Sequence, residues 1–254
     1  MEAVIVIMIT GIIAAAIAVF MVGPVKGYFD TARRAEMTDI ADTALRRIMR
    51  DVQGALPNSV RVDATGKYLE FVPIKAAGRY RTEKGIVVTD DPLDFTAADT
   101  TFDVLGPAIT VAANDLIVIF NMGQPGANIY DAYSASSNFQ AAAASADNTI
   151  TMTAAHQFPY MSPGNRFQVV STPVTYYCDS VGHQLLRYSG YAIASVQPTP
   201  PAVAASILAT NVACSFSYTS GVQERNGLLT ARLAITESSE TVDLLGQVNV
   251  VNTP

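Results

Sequence analysis

The sequence has few of the side chains from which catalytic and metal-binding sites are built. It contains no tryptophan, two cysteines and two histidines among 254 residues. The histidines, His156 and His183, belong to no zinc-protease motif, and the chain has neither a nucleophile elbow nor a phosphate-binding glycine loop. We therefore expect no catalytic residues, no metal and no cofactor.

Basic residues are also scarce. The chain carries 16 lysines and arginines against 22 aspartates and glutamates, for a formal net charge of -6. Proteins that bind nucleic acids cluster Lys and Arg against the phosphates. Here the basic residues are scattered along the chain, so we expect no nucleic-acid partner.

Charge is almost absent from segment 1–23, which holds one acid, Glu2, in an apolar run. A helix needs about 20 apolar residues to span a bilayer. The run is longer than the apolar region of a typical secretory signal, and it has neither a basic start nor a small-residue cleavage site before Pro24. We predict a retained transmembrane helix over 1–23.

Two properties of this segment are left open by the residues alone. An acid within a membrane span costs about 2.5 kcal/mol or more at mid-bilayer, so Glu2 is either a functional group or an interfacial residue. Lys26, Arg33 and Arg34 follow the span. The positive-inside rule, taken alone, would hold them and the head in the cytoplasm.

After the apolar run the pattern becomes amphipathic. Apolar residues recur at three- and four-residue steps through Leu56, with Arg, Asp and Glu between them. Pro57 then supplies a stop signal. The sequence predicts one helical segment over 1–56, interrupted or bent near Gly23 and Pro24, whose second half packs on a head.

Segment 57–254 has the pattern of strands and turns. Ala64-Thr65-Gly66 lies between two strand-like runs and predicts a hairpin. The stretch 75–107 is predicted as a loop. Further strands are predicted over 115–122, 149–153, 167–178, 184–188, 212–218, 228–236 and 241–251. The predicted fold is α+β: a long N-terminal helix, transmembrane and then amphipathic, packed on a mostly antiparallel, β-rich head.

The two cysteines, Cys178 and Cys214, do not form a C-x-x-C motif. A disulfide between them would close a loop of about 35 residues and contribute roughly 3 to 4 kcal/mol on the chain-entropy model. This pairing is expected if the head lies outside the cytoplasm. Two buried free thiols are the alternative.

Two sets of polar residues suggest binding sites. Acidic residues in the 75–107 loop could attract calcium, but their spacing fits no EF-hand, and a solvated loop explains them better. Tyrosines of the head could form a sugar-binding face, although packing within a sheet explains them better. The acidic residues are Asp90, Asp91, Asp94, Asp99 and Asp103, and the tyrosines are Tyr176, Tyr177, Tyr188, Tyr191 and Tyr218.

The stretch from Glu2 to Ala14, EAVIVIMITGIIA, resembles the N-terminal methylation segment of type IV pilins and type II secretion pseudopilins. Glu2 matches the family's glutamate at the fifth mature position, and Gly11 matches a common glycine. On this alignment Met1 corresponds to the fourth mature position, and the resemblance implies that a leader peptide and the first mature residues precede it.

The resemblance implies an assembly role for Glu2. In the family, a prepilin peptidase removes a basic leader and the new N-terminus is methylated. The glutamate is then thought to pair with the N-terminal amine of a neighbouring subunit. The implied partners are other pilin subunits through the helix, the peptidase, the inner-membrane assembly platform and, before assembly, the membrane. Pilin-like heads often carry a cysteine pair, which favours the Cys178–Cys214 disulfide.

A narrower resemblance is to the MshO-like group of prepilin-type proteins. It is carried by residues 28–36, 44–47 and 55–62, and more loosely by 93–95, 102–106 and 188–191. It implies a minor pilin that initiates or caps a fibre of the mannose-sensitive haemagglutinin type. The subunit would first span the inner membrane once, with a periplasmic head, and then join an extracellular filament.

Several other functions stay open at this stage. A major filament subunit and a type II secretion pseudopilin fit the same helix. A membrane-anchored head that binds carbohydrate is a further alternative. A membrane-anchored enzyme would need a convergent catalytic set, which the sequence does not suggest.

Overall fold

The computed structural model describes residues 2–221 and 226–253. Met1, which the resemblance aligns with the fourth mature position, lies outside them, as does Pro254 at the end of the predicted head. The described residues form a long helix, α1 (Glu2–Gln53), followed by fourteen strands in three antiparallel sheets. The predicted α+β fold, with a long apolar N-terminal helix and an antiparallel β-rich head, is confirmed.

The helix α1 contains 52 residues and continues through Pro24, so an interruption near Gly23 and Pro24 is wrong, while a bend there stays a prediction. Proline removes only one hydrogen bond from the ladder, and the turns on either side of it keep theirs. The helix ends at Gln53, before the predicted Leu56. The Leu56 N–H instead donates to the Val72 carbonyl at 2.7 Å, which takes the chain into the sheets.

Fourteen short and medium strands follow within the described residues. They are β1 (Arg61–Val62), β2 (Tyr68–Phe71), β3 (Ile74–Tyr80), β4 (Asp99–Leu105), β5 (Leu116–Val118), β6 (Phe139–Ala141), β7 (Thr149–His156), β8 (Arg166–Val170), β9 (Val174–Asp179), β10 (Gln184–Ser189), β11 (Ser206–Thr210), β12 (Val212–Thr219), β13 (Gly227–Glu237) and β14 (Glu240–Val250). The three sheets have the orders β1-β2-β9-β10-β11, β12-β13-β14 and β6-β5-β8-β3-β4-β7.

The second half of α1 shares a hydrophobic core with the five-stranded and three-stranded sheets. Its buried residues recur at three- and four-residue steps, as the amphipathic pattern predicts. They are Met37, Ala41, Ala44, Leu45, Ile48 and Val52. At Gly246 on β14, an added Cβ would lie 2.9 Å from Met49 Cε, so glycine lets the helix approach the strand closely. Because helix and sheets share this core, the division into a helical segment (1–56) and a head (57–254) stays a prediction.

The six-stranded sheet has a second core of its own. Its largest members include Tyr80, Phe102, Phe158 and Phe167, and the rings of Phe102 and Phe167 pack edge to face with centroids 5.4 Å apart. A smaller cluster next to the end of α1 includes Leu56 and Val72. The five-stranded and three-stranded sheets therefore pack against the helix, and the six-stranded sheet has a core of its own.

Most predicted strands exist, and the exceptions have local causes. The hairpin around Gly66 is confirmed by the antiparallel pairing of β1 with β2. The predicted strand 167–178 is wrong as a single element, because Pro173 separates β8 from β9 and the two join different sheets. The predicted 75–107 loop contains most of β3 and all of β4. Small and charged residues weaken the apolar alternation of β3 and β4, and β6 and β11 were also not predicted.

Candidate membrane and assembly site

The first part of α1 lies outside the core of the head. The first buried residue of the helix is Met37, and at 1.5 Å per residue the preceding part is about 50 Å long. Exposed apolar side chains lie on all sides of it, for example Val19 at 77% and Phe20 at 80%. Residues 2–23 alone extend about 33 Å, which matches a hydrocarbon core of about 30 Å. The helix is therefore long and apolar enough to cross a membrane.

Glu2 lies in the first turn of α1, at the far end of the free helix. The side chain is exposed, and it lies about 50 Å along the helix from the buried part, beyond the reach of head residues. Any partner from outside this turn must therefore come from the solvent, a lipid headgroup or another chain.

The small and polar residues of the free helix are compatible with an apolar environment. Thr10 Oγ1 donates to the Val6 carbonyl at 2.8 Å, so its hydroxyl is already satisfied. At Gly11, Gly23 and Gly27 an added Cβ would meet nothing within 4 Å, so the chain's own packing requires none of these glycines. Small residues let the backbones of two membrane helices approach closely. Gly23 and Gly27 are four residues apart, which is the spacing of such a contact.

The tip of the β13–β14 hairpin is attached to the helix just before it enters the core. Ser238 and Ser239 at the turn both have positive φ, at 49° and 67°, as in the two-residue turns that suit hairpins. Glu240 at the tip lies 3.4 Å from Arg33 Nη2 and 3.0 Å from Arg34 Nη2. The hydrogen bond from Arg34 lowers the pKa of Glu240.

This contact bears on the orientation of the chain. Arg33 also pairs with Asp30 at 2.6 Å, so both arginines face acidic groups of the same protein. Free positive charges next to a span favour the cytoplasm. Acidic neighbours contribute little to this rule, which counts Lys and Arg rather than net charge. The positive-inside signal of Lys26, Arg33 and Arg34 therefore remains in spite of these ion pairs.

A disulfide joins Cys178 on β9 to Cys214 on β12, with Cα atoms 5.5 Å apart. It connects the five-stranded sheet to the three-stranded sheet, and Cys178 is buried in the core that both share with α1. The prediction of a disulfide thus agrees with the structure. The bond ties together the two sheets on which the helix rests.

The five tyrosines proposed as a sugar-binding face do not form one surface. Tyr176 is fully buried and donates to Asp51 Oδ2 on α1 at 2.7 Å. Tyr177 points to the opposite side of β9 and stacks on Tyr68 with ring centroids 4.2 Å apart. Tyr188 is buried, and Tyr191 and Tyr218 use their hydroxyls in contacts within the head.

The acidic loop is less solvated than predicted. Arg81 lies 3.1 Å from Asp90 and 3.4 Å from Asp103, and Thr101 donates to Asp91 at 2.6 Å. Asp94 accepts a hydrogen bond from the Thr96 N–H, and Asp99 from the Asp94 N–H. The loop between β3 and β4 is apolar at its tip, where the side chains of residues 86 and 88 are fully exposed. Within the described residues, no group of three or more His, Cys, Asp or Glu is arranged to hold a metal.

The two histidines have structural positions. His156 is buried at the end of β7, where its Nε2 lies 2.7 Å from the Ser137 carbonyl and donates to it. Burial lowers the pKa of His156, so the ring is neutral near pH 7. His183 lies in the turn between β9 and β10 with a φ of 51°.

Comparison with known proteins does not indicate a function for this chain. No family model, curated protein or solved structure matches the chain. The pilin resemblance therefore stays a prediction from the residues. The function has to be argued from the helix, its acid and the head.

The position of Met37 leads to a prediction about the free helix. Deleting residues 2–23 should leave the head folded and make it soluble without detergent, because the deleted residues contact no core. The full chain should require detergent. Gel filtration without detergent, with circular dichroism to monitor β structure, measures both properties. An unfolded or aggregated deletion variant would contradict this division of the helix.

Proposed function

We propose that the chain is a structural, pilin-like subunit, a minor pilin, that is anchored in the inner membrane by α1 and assembles into a type IV pilus-type filament. The observation that carries this proposal is the continuity of α1. One helix is exposed for about 50 Å, is apolar over roughly the first 33 Å of that length, and then becomes part of the head's core. A rigid connection of this kind lets movement of the anchor move the head with it.

Assembly in this proposal exchanges lipid for protein around the apolar helix. Lipid tails are as apolar as leucine, so burial alone does not drive helices together in a membrane. Close packing and polar pairing must supply the preference instead. Gly11, Gly23 and Gly27 offer close approach, and Glu2 offers a charge for the N-terminal amine of a neighbouring subunit.

The proposal also implies an order of events for the subunit, from processing to assembly. A prepilin peptidase would process the chain at the membrane, and an inner-membrane platform would move the subunit into the filament. The head would stay periplasmic and later become extracellular. The Cys178–Cys214 disulfide supports an oxidising location for the head. A position at the start or tip of the fibre rests on the MshO-like resemblance.

Replacing Glu2 with alanine tests the assembly role. We expect Glu2→Ala to reduce incorporation into filaments by about tenfold, which corresponds to about 1.4 kcal/mol of lost pairing. Glu2→Gln should reduce it similarly, because the amide keeps the shape but loses the charge. Immunoblots of sheared filaments against membrane fractions measure the effect.

Thr10→Ala is the matched control on the same helix, because the Thr10 hydroxyl bonds only to its own helix backbone within the described residues. It should assemble normally. The head of each variant should remain oxidised and folded, since Glu2 lies far from it. Normal incorporation of Glu2→Ala would rule out the proposed pairing.

A further inference from the structure

Two neighbouring pockets on the head share lining residues, and we treat them as the two halves of one groove. One half has a volume of about 420 Å³ and lies between residues 129–139 and 192–195. The other has a volume of about 330 Å³ and is lined by residues 125–138. Asp131 and Ala132 line both halves. Each volume falls within the range of small-molecule sites, about 300 to 1,000 Å³.

Tyr133 lines the larger half and offers an exposed ring. Its side chain is 56% exposed, and the ring packs against Phe139 and His156 with centroid distances of 6.0 Å in both cases. His156 is itself held by the Ser137 carbonyl. These two contacts restrict the ring on one side before any ligand arrives, which lowers the entropy cost of binding.

The lining combines apolar surface with hydrogen-bonding groups. Leu116, Ile129 and Ile193 form apolar wall, and Asn114, Ser171 and Thr172 add polar groups. Asp131 uses Oδ2 to accept from the Gly126 N–H at 2.7 Å. A ligand with an apolar face and several hydroxyls would match this combination, because the hydroxyls can donate to Asp131 and the face can cover Tyr133.

A buried amide in the smaller half gives an independent indication. Asn138 is 1% exposed and its Nδ2 donates to Asn121 Oδ1 at 3.2 Å. Its Oδ1 has no hydrogen-bond partner among the described residues. A buried acceptor without a partner is costly, so it calls for an explanation, and a bound hydroxyl group would supply one. Asn138 lines the groove, so a hydroxyl placed there could reach this acceptor after a small shift of the side chain.

The charge of the lining restricts the ligand further. Asp131 is the charged residue that lines both halves, and no Lys or Arg is among the described residues that line either. An anionic ligand would meet a carboxylate without a compensating cation. A purely apolar ligand would remove water from the Asp131 carboxylate without replacing its hydrogen bonds. A neutral polyhydroxylated ring satisfies both conditions.

We propose that this groove binds a neutral saccharide, with one sugar ring stacked on Tyr133 and its hydroxyls bonded to Asp131 and the polar rim. Saccharide binding would be a function in addition to filament assembly, and the proposal does not depend on the filament role. It also moves sugar recognition away from the five tyrosines that the sequence suggested. A filament subunit with this groove would carry a ligand-binding surface on its head.

Saturation-transfer NMR on the full chain tests the proposal. The chain is held in a detergent without a sugar headgroup, since a maltoside would compete for the groove. Mannose, galactose, N-acetylglucosamine and lactose serve as neutral probes, and glucuronate serves as the anionic one. We expect at least one neutral sugar to bind with a Kd on the order of 1 mM, as suits a small open site, and to bind more tightly than glucuronate.

Variants assign the signal to the groove. Tyr133→Ala should weaken binding by about tenfold, whereas Tyr133→Phe should retain it because stacking needs only the ring. Tyr160→Ala is the matched control, since Tyr160 is 46% exposed and lines neither half. Ala192→Arg fills the groove from an exposed position. It should abolish binding without changing the core.

Three results would overturn the proposal. The first is no transfer from any neutral probe at about 10 mM, roughly ten times the expected Kd. The second is unchanged binding in both Tyr133→Ala and Ala192→Arg. The third is tighter binding of glucuronate than of the neutral sugars. If Tyr133→Ala unfolds, binding by Ala192→Arg still tests the proposal, because residue 192 is exposed and tolerates a long side chain.

Discussion

Glu70→Ala is expected to lower the free energy of unfolding by about 3 to 5 kcal/mol, the cost of breaking a buried ion pair by removing one partner. The Glu70 side chain is completely buried, and Arg61 beside it is 21% exposed. Glu70 Oε1 accepts from Arg61 Nε at 3.0 Å and from Arg61 Nη2 at 2.6 Å. Without the carboxylate, the guanidinium would remain largely desolvated with no counter-charge.

Neighbouring segments depend on the same pair. The Arg61 guanidinium lies 3.7 Å from the centre of the Tyr130 ring and donates to the carbonyls of Ala194 and Ser195. The Tyr191 hydroxyl donates to Glu70 Oε2 at 3.1 Å. The pair thus holds the segment that follows β10 against the five-stranded sheet. Its loss should also disturb the nearby groove, which Ser195 helps to line.

Urea unfolding of the full chain in detergent measures this effect. Asp42→Ala is the control, because it also removes an arginine partner, Arg46, but from an exposed pair on α1. Exposed pairs of this spacing contribute only about 0.3 to 0.5 kcal/mol. A Glu70→Ala midpoint no lower than that of Asp42→Ala would show that the buried pair does not stabilise the head.

Loss of the disulfide is the second large expected effect. Replacing both cysteines with serine should lower the free energy of unfolding by about 4 kcal/mol on the chain-entropy model. Cys178 and Cys214 are separated by 36 residues, so the bond restricts a long loop of the unfolded chain. The bond also holds β9 to β12, and the helix packs on the core between their sheets.

Urea midpoints with and without reductant measure this contribution. The reduced wild-type protein and the Cys178→Ser/Cys214→Ser variant should unfold at similarly low urea concentrations. Reductant should not move the midpoint of the variant, which makes the variant its own control. Equal midpoints for oxidised and reduced wild-type protein would contradict the prediction.

Several elements could be predicted from local patterns. The helix is predictable because an apolar run is followed by a three- and four-residue periodicity that reaches Val52, although its continuity through Pro24 is not. The β1–β2 hairpin was evident because Gly66 lies between two alternating runs. The strand β3 was missed because its sequence, IKAAGRY, has weak apolar alternation. Its position is set by pairing with β4 and β8, which are distant in sequence.

The candidate site was only partly predictable. Glu2 and the apolar span stand out because charge is rare in such a run. The attachment of Glu240 to Arg33 and Arg34 was not predictable, because more than 200 residues separate the partners. The groove was also not predictable from the sequence. Tyr133, Asp131 and Asn138 lie in a stretch without strong periodicity, whereas the more obvious tyrosines of β9 and β10 are used for packing.

The sequence by itself determined the α+β class, the apolar N-terminal helix with Glu2 at its end and the identity of the two cysteines that can pair. These features depend on composition and on spacing within a few turns or strands, which the chain shows directly. Only the tertiary structure decided that Met37 begins the buried part of α1, that Glu70 meets Arg61 in the interior and that a groove opens beside Tyr133. Each of these requires chain segments far apart in sequence to meet, and such contacts are selected by packing and charge pairing across the whole fold.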